Sequence, residues 1–196
     1  MFIEPVFNIR GAESYGGWIE VICGCMFSGK TEELLRRVNR ALYANQKVVI
    51  FNHRIDERYN TGHVVSHNKN SIESKMVKNA DEIMKLSMDY DVIGIDEVQF
   101  FDKKIVKVCT QLANSGKRVI VAGLDMDSNG EPFGSMPYLL AVSEFVTKLH
   151  AICEQTGELA SFTYRKSEEK GKIMVGASDK YEARSRRSFY EEKSIE

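Results

Sequence analysis

The chain has 196 residues, 43% of them hydrophobic, and sets 27 basic side chains against 28 acidic ones for a net charge of −1. That length suits one domain, or one domain with a small appendage, and it buries a sizeable core without disulfide staples. The composition excludes a disordered chain, and the near-zero charge excludes a general nucleic-acid binder, which carries a basic excess. The apolar runs are too short for a transmembrane helix, and the N-terminus lacks the basic-then-apolar order of a signal peptide. A cytoplasmic protein is expected, with no membrane or nucleic-acid partner and with its four cysteines reduced.

In chain order, residues 1–17 read as a loose arm ending in Gly16-Gly17. Trp18 to Cys23 is a strand. Thr31 to Ala44 is a helix, because Leu34, Leu35, Val38, Ala41 and Leu42 recur at helical spacing. Lys47 to Phe51 is a strand, Asn79 to Met88 a helix, Asp91 to Ile95 a strand and Lys103 to Asn114 a helix. Arg118 to Ala122 is again a strand, and Met136 to Ser143 a short helix. The strands are continuous apolar runs, as in a parallel sheet covered on both faces, so the expected fold is α/β over 18–144. The character changes near residue 145. Val146 to Ile152, Ala160 to Arg165 and Lys172 to Val175 read as short strands of a β-rich appendage over 145–190. A charged stretch, Lys166 to Lys172, interrupts it, and 191–196 reads as a frayed tail.

Between the first strand and the first helix lies Gly24-Cys25-Met26-Phe27-Ser28-Gly29-Lys30-Thr31, a full match to the P-loop pattern in the right context. Glycines let backbone N–H groups curl around phosphate oxygens, and the helix N-terminus adds positive potential. Lys30 is placed for the β- and γ-phosphates and the Thr31 hydroxyl for Mg²⁺. A second signal is Asp96-Glu97, straight after the apolar run Val92 to Ile95. Parallel strands deliver their C-terminal ends to one sheet edge, so Asp96 faces the P-loop and is expected to reach Mg²⁺ through water. Glu97 is placed to take a proton from whatever attacks the γ-phosphate. If that is water, the chain is an ATPase; if a substrate hydroxyl, a kinase. A nucleotide-binding regulatory module is the non-enzymatic alternative, though a pure binder has no need of Glu97. Asp125-Met-Asp127 also follows a strand but fits a polar loop equally well.

From Trp18 to about Phe189 the chain resembles the type II thymidine kinases. The carrying motifs are Met26 to Thr31, Asp56-Glu-Arg-Tyr59, Ser66-His-Asn68, Asp96-Glu-Val-Gln-Phe-Phe101, Gly123-Leu-Asp125, Pro132-Phe-Gly134 and Val175-Gly-Ala-Ser-Asp-Lys-Tyr181. The resemblance implies a recombinase-like P-loop core with a small lasso subdomain. It implies transfer of the γ-phosphoryl group of ATP to the 5′-hydroxyl of thymidine, and of deoxyuridine, with Mg²⁺. It makes Glu97 the catalytic base and groups Asp96 and Gln99 with the P-loop residues around ATP. It also implies a homotetramer, feedback inhibition by dTTP and a role in nucleotide salvage for DNA synthesis. Asp56 and Arg58 match positions near the sugar and phosphates. Met26, Leu124 and Thr163 match positions around the base, with Phe100 and Phe133 as aromatic neighbours. The lasso is Lys172, Ile173, Met174, Val175, Gly176 and Ala177, and Tyr181 closes it.

Two departures stand out. Many relatives carry an aromatic residue at the position of Ser128, which reads here as a turn residue. The family also usually carries two Cys-x-x-Cys pairs that bind zinc in the appendage. Those positions here are Cys153, Thr156, Ser185 and Ser188. Neutral hydroxyls replace thiolate poorly on Zn²⁺, so an appendage without zinc is expected, held by hydrogen bonds and packing. His150, on an apolar strand, reads as a packed or hydrogen-bonded histidine.

Overall fold

The computed structural model describes residues 16–54, 63–64, 72–166 and 180–193. Seven strands form its central sheet: β1 (Trp18–Gly24), β2 (Val48–His53), β3 (His63–Val64), β4 (Ile72–Val77), β5 (Val92–Ile95), β6 (Arg118–Gly123) and β7 (Phe145–Leu149). Their order is β3-β4-β2-β5-β6-β1-β7. Six of them run parallel, and only the edge strand β3 is antiparallel to its neighbour. Helix α1 (Lys30–Tyr43) covers one face, where Leu34, Val38 and Ala41 pack on Ile22, Ile50 and Ile120. Helices α2 (Ala80–Leu86), α3 (Lys104–Asn114) and α4 (Met136–Val142) cover the other. There Ile83, Ile105, Leu112, Met136 and Leu139 pack on Ile19, Val21, Phe51, Ile93 and Val119. Because both faces are covered, successive strand residues are all buried, which is why those segments read as unbroken apolar runs.

Beyond the expected elements lie β3, a short strand over Tyr181–Arg184 and two longer features. β4 is one, since Ile72–Val77 carries Glu73, Ser74 and Lys75 in succession and reads as loop until it pairs with β2. The other is a C-terminal helix, α5 (Arg186–Lys193), which runs through the first part of the expected tail. It is anchored by Phe189, fully buried and stacked on Phe162 with ring centres 4.6 Å apart. The helix after Asn79 ends early, at Leu86; Leu86 and Met88 are exposed, and Ile83 carries its packing. Its start is doubly capped: Asn79 accepts from the Glu82 amide at 3.1 Å, and Glu82 accepts from the Lys78 amide at 2.9 Å.

Two segments expected as single strands are each divided. Val146 to Ile152 splits at His150: β7 pairs with β1 in the central sheet, and β8 (Ala151–Ile152) pairs with β9 (Leu159–Ala160). The break falls where β1 ends, since Leu149 lies opposite Gly24 and the partner strand then turns away. Ala160 to Arg165 splits at Ser161, after which β10 (Phe162–Arg165) pairs antiparallel with β11 (Tyr181–Arg184). His150 and Ser161 meet at the two breaks, with Nδ1 and Oγ 3.0 Å apart, so His150 is hydrogen-bonded and exposed. The expected strand at Lys172 to Val175 lies outside the described residues.

Candidate active site

Strand register brings the site together. Cys23 lies beside Gly123, and Ile95 beside Val121, so the glycine-rich loop, Asp96 and Leu124 all leave the sheet at one edge. The loop from Gly24 to Thr31 is tight. Gly24 has φ +145°, and a Cβ there would sit 2.3 Å from the Leu149 carbonyl oxygen. Gly29 caps α1 in the left-handed region at φ 83°, and Phe27 shares that region at φ 64° with an exposed side chain. The Cys25 carbonyl is the loop's internal hub: it accepts from Ser28 Oγ at 2.8 Å and from Lys30 Nζ at 2.6 Å. Burial pulls the Lys30 ammonium below the usual lysine range, while the carboxylates of Glu97, Asp96 and Asp125 pull the other way.

The acidic pair faces this loop. Thr31 Oγ1 donates to Asp96 Oδ2 at 2.9 Å, and the Glu97 amide donates to Asp96 Oδ1, also at 2.9 Å. Burial, and then the neighbouring Glu97, push the Asp96 carboxyl well above the usual carboxylate range; the Thr31 bond opposes them. Glu97 itself is left-handed, at φ 50°, a conformation uncommon outside glycine that turns the chain sharply after β5. It heads a short 3₁₀ turn, Val98–Phe100, in which Gln99 Nε2 donates to Glu97 Oε2 at 2.6 Å.

The expected base-side residues divide into three groups. Met26 and Thr163 meet, with the Met26 amide donating to Thr163 Oγ1 at 3.0 Å. Leu124 joins the acidic turn, its amide donating to Gln99 Oε1 at 3.1 Å. Phe100 and Phe133 pack edge to face, ring centres 6.0 Å apart. Ser128 is a turn residue: the turn Asp127–Gly130 is closed by Gly130 N to Asp127 O at 3.0 Å. Tyr181 is buried at the start of β11, with the Arg165 guanidinium 5.8 Å from its ring centre. Asp56, Arg58 and the lasso residues Lys172, Ile173, Met174, Val175 and Gly176 lie outside the described residues.

Sequence reasoning left Asp125 open and gave no role to Lys148. The structure buries Asp125 beside the glycine-rich loop and pairs it with Lys148 Nζ at 2.7 Å. For Asp125 the signals were its place two residues past a buried strand and within the Gly123-Leu-Asp125 motif; Lys148 had none. The Cys153, Thr156, Ser185 and Ser188 positions, which the resemblance matches to zinc ligands of relatives, also converge. Cys153 Sγ lies 3.4 Å from Ser188 Oγ, and Thr156 Oγ1 donates to Ser185 Oγ at 3.4 Å.

Chemically, one sheet edge gathers loop amides, an ammonium, a hydroxyl and two carboxylates, the set on which phosphoryl transfer draws. The thymidine kinase family model matches residues 17–189. The chain belongs to the thymidine kinase family. It is 55% identical over 189 residues to a thymidine kinase of Rhodothermus sp. (strain ITI 518), covering 96% of this chain and 88% of that one. A thymidine kinase of Bacteroides fragilis (strain YCH46) is 51% identical over 173 residues, covering 88% and 87% of the two chains. One from Porphyromonas gingivalis (strain ATCC 33277) is 53% identical over 165 residues, covering 84% and 81%. The family match begins at Gly17, just ahead of β1, and ends at Phe189, so it takes in both the central sheet and the two small sheets.

Proposed function

We propose that this chain transfers the γ-phosphoryl group of ATP to the 5′-hydroxyl of thymidine, giving dTMP. The observation that carries the reading is Glu97, held in a left-handed turn beside Asp96 at the strand edge that also presents Lys30 and Thr31. Family membership supports thymidine as the acceptor.

In this reading the amides from Gly24 to Thr31 and the start of α1 cradle the phosphates. Lys30, engaged by the Cys25 carbonyl, exchanges that bond for phosphate oxygens. The thymidine 5′-oxygen forms a bond to the γ-phosphorus as the bond from that phosphorus to the bridging oxygen of ADP breaks. The proton of the 5′-hydroxyl passes to the Glu97 carboxylate, and ADP leaves. Thr31 and Asp96 offer hard oxygen donors side by side, a set that fits Mg²⁺. When bound, Mg²⁺ neutralises charge on the phosphates. Met26, Leu124, Thr163, Phe100 and Phe133 border the base. Discrimination against cytosine rests on hydrogen-bond pattern, because a mispaired buried amide is costly.

The same reading takes deoxyuridine as a second acceptor, dTTP as inhibitor, a homotetramer as the assembly and the cytoplasm as the location; the family resemblance supports each. The appendage is read as free of zinc. One cysteine and three hydroxyls do not fit the metal, and the four already hydrogen-bond among themselves. Near-stoichiometric zinc in protein purified without chelator would overturn that.

The deciding experiment is label transfer from γ-labelled ATP to a panel of deoxynucleosides. Label should appear on thymidine and deoxyuridine. Hydrolysis of ATP to free phosphate at the same rate with and without nucleoside would overturn the reading.

A further inference from the structure

We propose that Gln99 is a positioning residue that aims the carboxylate of Glu97. The inference rests on the reading of Glu97 as base. Gln99 is 3% exposed, and both ends of its amide are engaged: Nε2 donates to Glu97 Oε2 at 2.6 Å, and Oε1 accepts from the Leu124 amide at 3.1 Å. The second bond fixes the direction of the first. Reversing the amide would set an NH₂ group against the Leu124 N–H and a carbonyl oxygen against the Glu97 carboxylate, two repulsive contacts in place of two bonds. Gln99 therefore presents a donor, and only a donor, to one oxygen of Glu97.

The surroundings are shaped around this side chain. Gly123, at the end of β6, leaves the space the amide fills: a Cβ there would lie 2.6 Å from Gln99 Oε1. Gly134, at φ +54°, backs the main chain of the same residue: a Cβ there would lie 2.5 Å from the Gln99 backbone carbonyl oxygen. Glu97 needs such support. Its backbone is in the left-handed region, and three rotatable bonds set where its carboxylate oxygens point, so a bond to one oxygen narrows their orientation. Leu124 is the first residue beyond β6, so the strut runs from the base side of the site to the base itself. Small misplacements of a reacting group lower turnover steeply.

The test is a double-mutant cycle. Gln99→Met keeps the volume and removes both bonds. With Glu97 present it should lower kcat by about ten- to a hundredfold and leave KM for ATP and thymidine within about threefold. In a Glu97→Gln background, which has no carboxylate to aim, the same substitution should change the residual kcat by less than about twofold. A merely structural role predicts the same fractional loss in both backgrounds, and that result would overturn the proposal. So would an unchanged kcat in Gln99→Met alone. If Gln99→Met does not fold, Gln99→Asn runs the same cycle, since its shorter side chain keeps the amide but cannot span both partners. Failure of the underlying reading shows separately, as a Glu97→Gln single variant with undiminished turnover.

Discussion

The Met26 amide donates a hydrogen bond to the hydroxyl of Thr163 at 3.0 Å, joining the glycine-rich loop to strand β10 across 137 residues of sequence. Thr163 is buried and Met26 half-buried, so the bond is partly shielded from water. The neighbouring Cys25 reinforces it, its thiol donating to the Ala160 carbonyl at 3.3 Å. The loop is thus fastened to the appendage at two successive residues. Thr163→Val keeps the shape but leaves the Met26 N–H without this partner. It should destabilise the protein by about 1–3 kcal/mol and raise KM for ATP and thymidine together, whereas Thr163→Ser should restore most of both. Thermal unfolding and steady-state kinetics check this. A rise confined to the thymidine KM would show instead that Thr163 acts only on the nucleoside.

Glu97→Gln should lower kcat by roughly 10²–10⁴ while ATP affinity stays within about threefold. The amide keeps the size and the bond from Gln99 but cannot accept the proton. Single-turnover kinetics beside equilibrium titration with a non-hydrolysable ATP analogue separate the two quantities.

Glu20 is fully buried on β1 between two arginines. It accepts from Arg37 at 2.8 Å, from Arg118 at 2.5 Å and from the Trp18 indole at 2.8 Å. Arg37 lies on α1, two turns from Lys30, and also reaches Thr147 of β7 at 2.8 Å. The network therefore ties the helix that carries Lys30 and Thr31 to three strands. Glu20→Gln leaves both guanidinium groups without their shared carboxylate and should cost about 3–5 kcal/mol in denaturant unfolding. Added salt should alter that cost little, because the pair is out of solvent.

Cys153 answers to pH. Burial opposes ionisation of its thiol, but hydrogen bonds from the Ser188 and Thr156 hydroxyls and from backbone groups at Ser185 and Thr156 outweigh it, bringing the thiol down to about 6 from an ordinary 9.0. The folded value is the lower one, so the folded state favours thiolate. The resulting stability is fully present above pH 9.0 and is lost as pH falls through about 6. The Tm advantage of the unmodified chain over Cys153→Ala should accordingly grow across that window. The ultraviolet absorbance of thiolate gives an independent check: burial pushes Cys23 to about 11 and Cys109 to about 12, and raises Cys25, so the lowest thiol titration should vanish in Cys153→Ala.

Much of the central sheet was legible because a strand buried on both faces has to be apolar throughout, as Val92–Ile95 is. The α1 helix was legible for the complementary reason, since Leu34, Val38 and Ala41 repeat along one stripe. β4 and α5 were not, because Ile72–Val77 and Arg186–Lys193 are polar stretches whose structure depends on partners far along the chain. The same holds at the site. Lys30, Thr31, Asp96 and Glu97 declare themselves by local spacing, whereas Lys148 becomes notable only because β7 sets it opposite Cys23, within reach of Asp125.

The chain alone determined its family, its α/β core and the residues of the phosphate edge, because those depend on periodicity and on contiguous motifs that neighbouring residues can specify. It also determined that three of the four positions matched to the family's zinc ligands carry hydroxyls. Only the tertiary structure decided what those hydroxyls do, that Thr163 reaches the Met26 amide, and that Gln99 spans from Leu124 to Glu97. Each of those is a pairing of polar atoms brought together by strand register and loop conformation, and no spacing within the sequence encodes such a meeting.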